Sequence, residues 1–333
     1  MKALIIQEPG SLEGLRMTEK TKPIPGKGEV RIKVLSAGLN PSDFQYAKFN
    51  KAEDEERVLG IDICGIVDSI GSEVTNLNKG DRVYYLRSLE NLHGGFAEYA
   101  ITPAHVVSVL PDNIPAHVAG VIPGAGFTAY QALFQKLRPI SGRTILIHGG
   151  AGGVGSFAIQ LAKYAGLSVV TSCLEKDMEY VRSLGADKAI DFQSEDVHAV
   201  TMEWTTQRGV DYVLSTVGPE VATKDIDVLA FGGEIVVTAG FPDFNRLRFY
   251  DKGLSLHEMA TGAALTSGDK QAEENIAVIG KELATLVSKG IIAPPKMTLI
   301  GLEEVPSYLK MMEQGKITGK IVAMIDKSGV ETV

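Results

Sequence analysis

The residues most able to do chemistry lie in "IHGGAGGVGSFAIQLAK" (147–163), where Gly149, Gly150, Gly152, Gly153 and Gly155 fill five of seven positions ahead of an apolar amphipathic run. Glycine loses much conformational freedom on folding, so such a cluster serves a geometric need. One such need is close approach of backbone to a phosphate at a helix N-terminus, whose free N–H groups attract anions. Gly150, Gly152 and Gly155 fit G-x-G-x-x-G after the strand-like "TILIHG" (144–149), so the strand–turn–helix context of a dinucleotide fingerprint is present. A packing-only loop is the competing reading. No lysine followed by serine or threonine closes the loop, which disfavours a nucleoside triphosphate.

The next strand separates the two nicotinamide cofactors. It ends "VVTSCLEKD" (169–177), with Thr171, Ser172 and Cys173 where NAD-binding sheets carry a carboxylate for the ribose hydroxyls. Hydroxyls tolerate a 2′-phosphate and Lys176 can neutralise it, which points to NADP(H). A solvated lysine at a helix start is the alternative for Lys176.

These residues need a scaffold, and the chain changes rhythm twice. Up to about residue 120 it is a series of short strand-like runs, such as "EVRIKVLSAGLN" (29–40), "IDICGIVDSIGSEV" (61–74) and "GDRVYYL" (80–86), separated by turn residues. That pattern predicts a compact β barrel. From about 122 to 264, strands at 144–149, 167–173, 188–192, 210–218 and 232–240 alternate with helical stretches, the signature of a doubly wound parallel sheet. After 265 an amphipathic helix ("AEENIAVIGKELATLVSKG") and a terminal strand in "GKITGKIVAMI" are expected to rejoin the first domain. The predicted domains are therefore 1–121 with 265–333, and 122–264.

Composition bounds the function. The 333 residues are 44% hydrophobic and 22% charged with a net charge of −8, ordinary for a soluble protein and unsuited to a broad nucleic-acid or anionic-membrane footprint. Cys64 and Cys173 cannot build a disulfide framework, and no apolar run approaches a membrane span. A cytoplasmic protein acting on a small molecule is the expectation.

Taken in order, "AGLNPSDF" (37–44), "GIDICGIVDSIGSEV" (60–74), "GDRVYYL", "GGFAEYA" (94–100), "GAGFTAYQAL" (124–133), "GGAGGVGSFAIQLAK" and "SLGAD" resemble the medium-chain dehydrogenase/reductases along essentially the whole chain. The similarity is to the zinc-free, quinone oxidoreductase-like branch. It implies an α/β protein with a GroES-like β-barrel catalytic domain built from both chain ends, a Rossmann domain between, an active site in their cleft, and a homodimer. Metal-dependent relatives carry a cysteine near "GLNPSD" and a His-Glu pair after the glycine of "GID"; here Asn40 and Asp43, then Ile61 and Asp62, stand there. Zinc needs about four N, S or O ligands. Only "LRSLENLHGG" (86–95) separates two strands where a structural zinc lobe would go, and His93, His105, His117, His148, His198 and His257 lack ligand spacing, so they read as surface or packing residues. No metal is expected.

The resemblance implies hydride transfer from NADPH to a quinone or an α,β-unsaturated carbonyl, with Asn40 and Thr128 near the nicotinamide. Tyr46 is a third candidate, one residue beyond the position where relatives carry a tyrosine, with packing at the barrel edge as its alternative. Cofactor contacts carry over to Gly150, Ala151, Gly152, Gly153, Val154, Ser172, Lys176, Val217, Gly240 and Phe241. Phe192 also falls in this set, although relatives often place a tyrosine there and a phenyl ring cannot donate to phosphate. The competing function is a non-catalytic cofactor-binding or structural protein on the same fold.

Overall fold

The computed structural model describes residues 1–8, 10–49, 56–248 and 250–326. The chain divides into two compact units, one of Met1–Phe127, Thr261–Gly290 and Lys296–Val333, the other of Thr128–Ala260 with Ile291–Pro295. No helix among the described residues is long and apolar enough to cross a membrane.

The first unit is a largely antiparallel β structure. Glu29–Leu39 is its central strand, with Val30, Ile32 and Val34 at most 1% exposed, the alternation that buries one face. It pairs with Asp62–Ile70, Tyr99–Pro103 and Lys320–Met324. The terminal strand thus rejoins the unit that opens the chain. Two of these pairings set up the chemistry. Gly38 lies opposite Asp62 and Leu39 opposite Ile321, so Asn40, Asp62 and Lys320 meet at one end of three adjacent strands. Met297–Gly301, with a burial pattern too mixed to read as a strand in sequence, adds to this sheet beside Lys320–Met324.

The second unit is a six-stranded, all-parallel sheet. Across it run Lys188–Asp191, Ser168–Cys173, Thr144–Ile147, Val210–Ser215, Leu229–Val237 and Ser255–Glu258. Strands covered on both faces become continuous apolar runs, and all six residues of Val210–Ser215 are buried. The sixth strand, "SLHE", is half-exposed edge sequence that apolar patterning does not reveal. Helix Gly153–Tyr164 buries Phe157, Ala158, Leu161 and Ala162 on the sheet, and truncating Phe157 to alanine should cost about 3–5 kcal/mol.

Candidate functional site

In the nucleotide-type unit the glycines divide into two roles. A Cβ at Gly155 would stand 2.2 Å from the Gly149 carbonyl, and one at Gly150 would stand 2.2 Å from Thr171 Oγ1, so these two are needed for packing. A Cβ at Gly152 meets only the Gly149 carbonyl, at 3.2 Å. Gly152 caps helix Gly153–Tyr164 without a side chain to accept from its first N–H groups. Gly152, Gly153 and Val154 therefore form a half-buried turn at a helix start, with Ala151 buried before it, a fit for a pyrophosphate.

The other expected cofactor residues gather at the carboxyl ends of the strands, with one exception in orientation. A cavity of ≈ 620 Å³ is lined there by His148, Gly149, Ser172, Phe192, Val197, His198 and Val217 among others. Phe192 and Val217 are 52% and 59% exposed, apolar surface open to a ligand. The Ser172 hydroxyl is turned inward, 3.1 Å from His148 Nδ1, and accepts from the Gly149 N–H at 3.3 Å. Lys176 is exposed on the turn Glu175–Asp177 and is not among the cavity's lining residues. Gly240 adopts φ +124°, and Phe241 after it packs on Phe244 with ring centroids 5.9 Å apart.

Two histidines depart from the expectation of scattered packing residues. His148 Nε2 and His198 Nε2 each lie 2.8 Å from the same oxygen, Asp225 Oδ1. Asp196 caps helix Val197–Trp204 by accepting from the His198 and Ala199 N–H groups, which fixes His198 in the first turn. Pro219 begins helix Pro219–Val228 and so sets the phase that turns Asp225 inward. Burial works against ionising Asp225, yet the hydrogen bonds from His148 and His198 outweigh it and hold the carboxyl below its ordinary value.

In the first unit the polar centre is Asn40, Asp43, Asp62 and Lys320, all at most 8% exposed. Lys320 Nζ donates to Asn40 Oδ1 at 2.7 Å, Asp62 Oδ2 at 2.9 Å and the Leu39 carbonyl at 3.1 Å. Asp62 Oδ1 accepts from the Gly124 N–H at 2.6 Å. An ammonium has three donors and no acceptor, so it fixes which end of the Asn40 amide faces it. The oxygen turns to Lys320, and Nδ2 keeps only a long 3.5 Å contact to the Gly38 carbonyl. Asn40 is thereby presented as a donor.

Asp43 braces this corner by accepting from the Asn40 N–H at 2.8 Å and the Gly60 N–H at 3.1 Å. Complete burial pushes its carboxyl up to about 7, against the pull of those two bonds, and neighbouring Asp62 adds to the rise. Arg87, 2% exposed, is its electrostatic neighbour and is drawn down to about 10 by its own burial. Tyr46 packs against the hydrophobic cluster of the first strands, with the Arg57 guanidinium 5.2 Å from its ring centroid. Thr128 is half-buried in Thr128–Tyr130 of the other unit. Lys320 and Asp225 join these polar clusters without any sequence motif that announces them.

Known proteins share both halves. The family model for an alcohol dehydrogenase GroES-like domain matches residues 26–112, and that for a zinc-binding dehydrogenase matches 153–278. The 2-methylene-furan-3-one reductase of Solanum lycopersicum is 33% identical over 339 residues, covering 97% of this chain and 78% of that protein. The quinone oxidoreductase of Homo sapiens is 28% identical over 241 residues, covering 71% and 72%. Among solved structures, the quinone oxidoreductase from Coxiella burnetii superposes with a TM-score of 0.83 at 27% identity, covering 98% of this chain and 99% of that one.

Proposed function

The chain belongs to the medium-chain dehydrogenase/reductases, an oxidoreductase family, in their quinone oxidoreductase-like branch, and from that membership we propose that it reduces a quinone or an α,β-unsaturated carbonyl with NADPH and without a catalytic metal. The observation that carries the reading is the Asn40 amide, its oxygen held by Lys320 and its nitrogen left to donate.

NADPH, when bound, supplies the hydride. The turn at Gly152 and the start of helix Gly153–Tyr164 hold the pyrophosphate, and Phe192 and Val217 offer apolar surface to the adenosine. Hydride arriving at a conjugated carbon sends negative charge to a carbonyl oxygen. Asn40 Nδ2 donates to that oxygen as the charge grows, and a donor already oriented costs no reorganisation. Lys320 holds the amide in that orientation and adds a positive charge behind it. What supports metal independence is the same ammonium. Asn40 and Asp62 stand where metal-dependent relatives place ligands, and here both bond to Lys320, so a divalent ion would meet a fixed cation.

What supports NADPH over NADH is the strand end Ser168–Cys173, which carries no carboxylate, together with exposed Lys176. The test is NADPH oxidation across a panel of quinones, enones and simple aldehydes. Turnover of quinones or enones but not aldehydes is expected. Tight NADPH binding with no turnover of any acceptor would favour a cofactor-binding protein without catalysis.

A further inference from the structure

Among the described residues, His148, His198 and Asp225 are the one group of histidines and carboxylates placed to hold an ion, their ligand atoms all within 4.8 Å of one another. Asp225 is fully buried, and among the described residues its ion pairs are with the two imidazoles alone. Among the described residues Oδ2 of the same carboxylate has no hydrogen-bond partner at normal distance, and the Ser215 hydroxyl is its near polar neighbour. A buried carboxylate is costly unless a cation and further hydrogen bonds compensate it. Both rings contact one of its oxygens and leave the other without a hydrogen bond among the described residues.

The surroundings meet the remaining requirements of a metal site. His148 is held from behind, its Nδ1 3.1 Å from a Ser172 hydroxyl that is itself anchored by the Gly149 N–H, as ligating histidines are oriented by a second partner. Both histidines line the ≈ 620 Å³ cavity, which provides an entry path. Its wall carries Glu195, Asp196 and Asp227 against Lys224, a lining that draws cations.

We propose that His148, His198 and Asp225 form a three-ligand site for a divalent transition ion, with zinc as the probe, at the carboxyl edge of the parallel sheet. Two nitrogens and one carboxylate oxygen suit zinc, cobalt or nickel rather than magnesium or calcium. Bonds of about 2.0–2.1 Å in tetrahedral geometry separate ligand atoms by about 3.3 Å. The present 2.8 Å contacts therefore open by about half an ångström as the ion displaces two N–H···O bonds. Each ring then coordinates through Nε2 as its Nδ1–H tautomer, and that of His148 donates to Ser172 Oγ. The fourth position faces the cavity.

The proposed ion is assigned no role in hydride transfer, and its ligands all belong to the nucleotide-type unit. Its consequence is competition. On the reading that the cavity takes the adenosine half of NADPH, a bound ion weakens the cofactor.

The experiment uses the untagged full chain, stripped with a chelator and desalted, then titrated calorimetrically with zinc chloride near neutral pH. One equivalent per chain is expected, at least tenfold weaker in His198→Gln and lost in Asp225→Asn. Bound cobalt(II) should give a tetrahedral d–d absorption that both variants lose. His198 is partly exposed, so His198→Gln should keep the wild-type melting curve and remain informative if Asp225→Asn does not fold. A wild type that binds no zinc, or binding unchanged in a folded His198→Gln, overturns the site. A separate NADPH titration with and without zinc tests the competition. Zinc binding with unchanged NADPH affinity overturns the competition, whereas NADPH that never binds overturns the cofactor reading and leaves the zinc result standing.

Discussion

Asp62 in one unit and Asp225 in the other are fully enclosed aspartates beside basic groups, and their clusters solve the charge differently. Asp62 meets a lysine ammonium whose three donors are all used, and both of its oxygens accept a hydrogen bond. Asp225 meets two imidazoles on one oxygen, and the other oxygen accepts none. Three hydrogen bonds from Lys320 make the first cluster a fixed scaffold that orients Asn40. On the proposed metal site, two imidazoles that open to take an ion make the second one adjustable.

The largest effect expected from this contrast is on folding. Lys320→Met strands the Asp62 charge and should lose about 3–5 kcal/mol of stability in denaturant unfolding. His198→Gln leaves His148 on Asp225 and should cost much less. Equal losses from the two would erase the distinction.

The glycine loop sharpens the comparison from the cofactor side. Gly152→Val adds a side chain where only the Gly149 carbonyl is near and the backbone has φ −78°, so the fold should survive while NADPH affinity collapses. Gly155→Ala drives a methyl into backbone and should lower the melting temperature instead. An unchanged NADPH titration in folded Gly152→Val would remove the loop from the cofactor site.

A smaller effect lies in pH. Asp43 is raised from an ordinary 3.8 to about 7 by burial, so the folded state holds its proton more tightly than the unfolded chain. Its contribution is fully present below the unfolded value and is lost as pH rises through about 7. The stability of wild type relative to Asp43→Asn should therefore fall between pH 4 and 8. A relative stability that is flat or rises over that range would contradict the buried, protonated carboxyl.

The smallest effect concerns cofactor choice. Lys176→Ala should weaken NADPH about tenfold and NADH hardly at all, with the difference shrinking at high salt because Lys176 is exposed. Ser172→Asp should move preference towards NADH by repelling a 2′-phosphate. An unchanged NADPH to NADH ratio in both variants would leave the strand end without a role in selection.

What the sequence could reveal follows from how local each feature is. The loop at 149–155 is legible because strand, glycines and helix are contiguous, and the alternating strands of both units are legible by their period. Lys320 is not, because it lies 280 residues from Asn40 and arrives only through the pairing of Lys320–Met324 with Glu29–Leu39. Its one sequence signal is a lysine opening the otherwise apolar strand "KIVAM". Asp225 is likewise 77 residues from His148 and 27 from His198, spacings that no ligand motif contains. The inward turn of the Ser172 hydroxyl depends on where His148 sits, and strand periodicity cannot supply that.

In the proposed function, an amide donor backed by the Lys320 ammonium does the work of a catalytic metal. The most direct test measures NADPH-dependent reduction of a quinone and an enone after exhaustive chelation, in wild type and in Asn40→Asp. Asn40→Asp keeps an oxygen for Lys320 and removes the N–H donor. Wild type should keep its full rate without metal, and Asn40→Asp should lose about a hundredfold in kcat, the scale of one oxyanion donor. Activity that vanishes on chelation and returns with zinc, or an Asn40→Asp chain as fast as wild type, would contradict it.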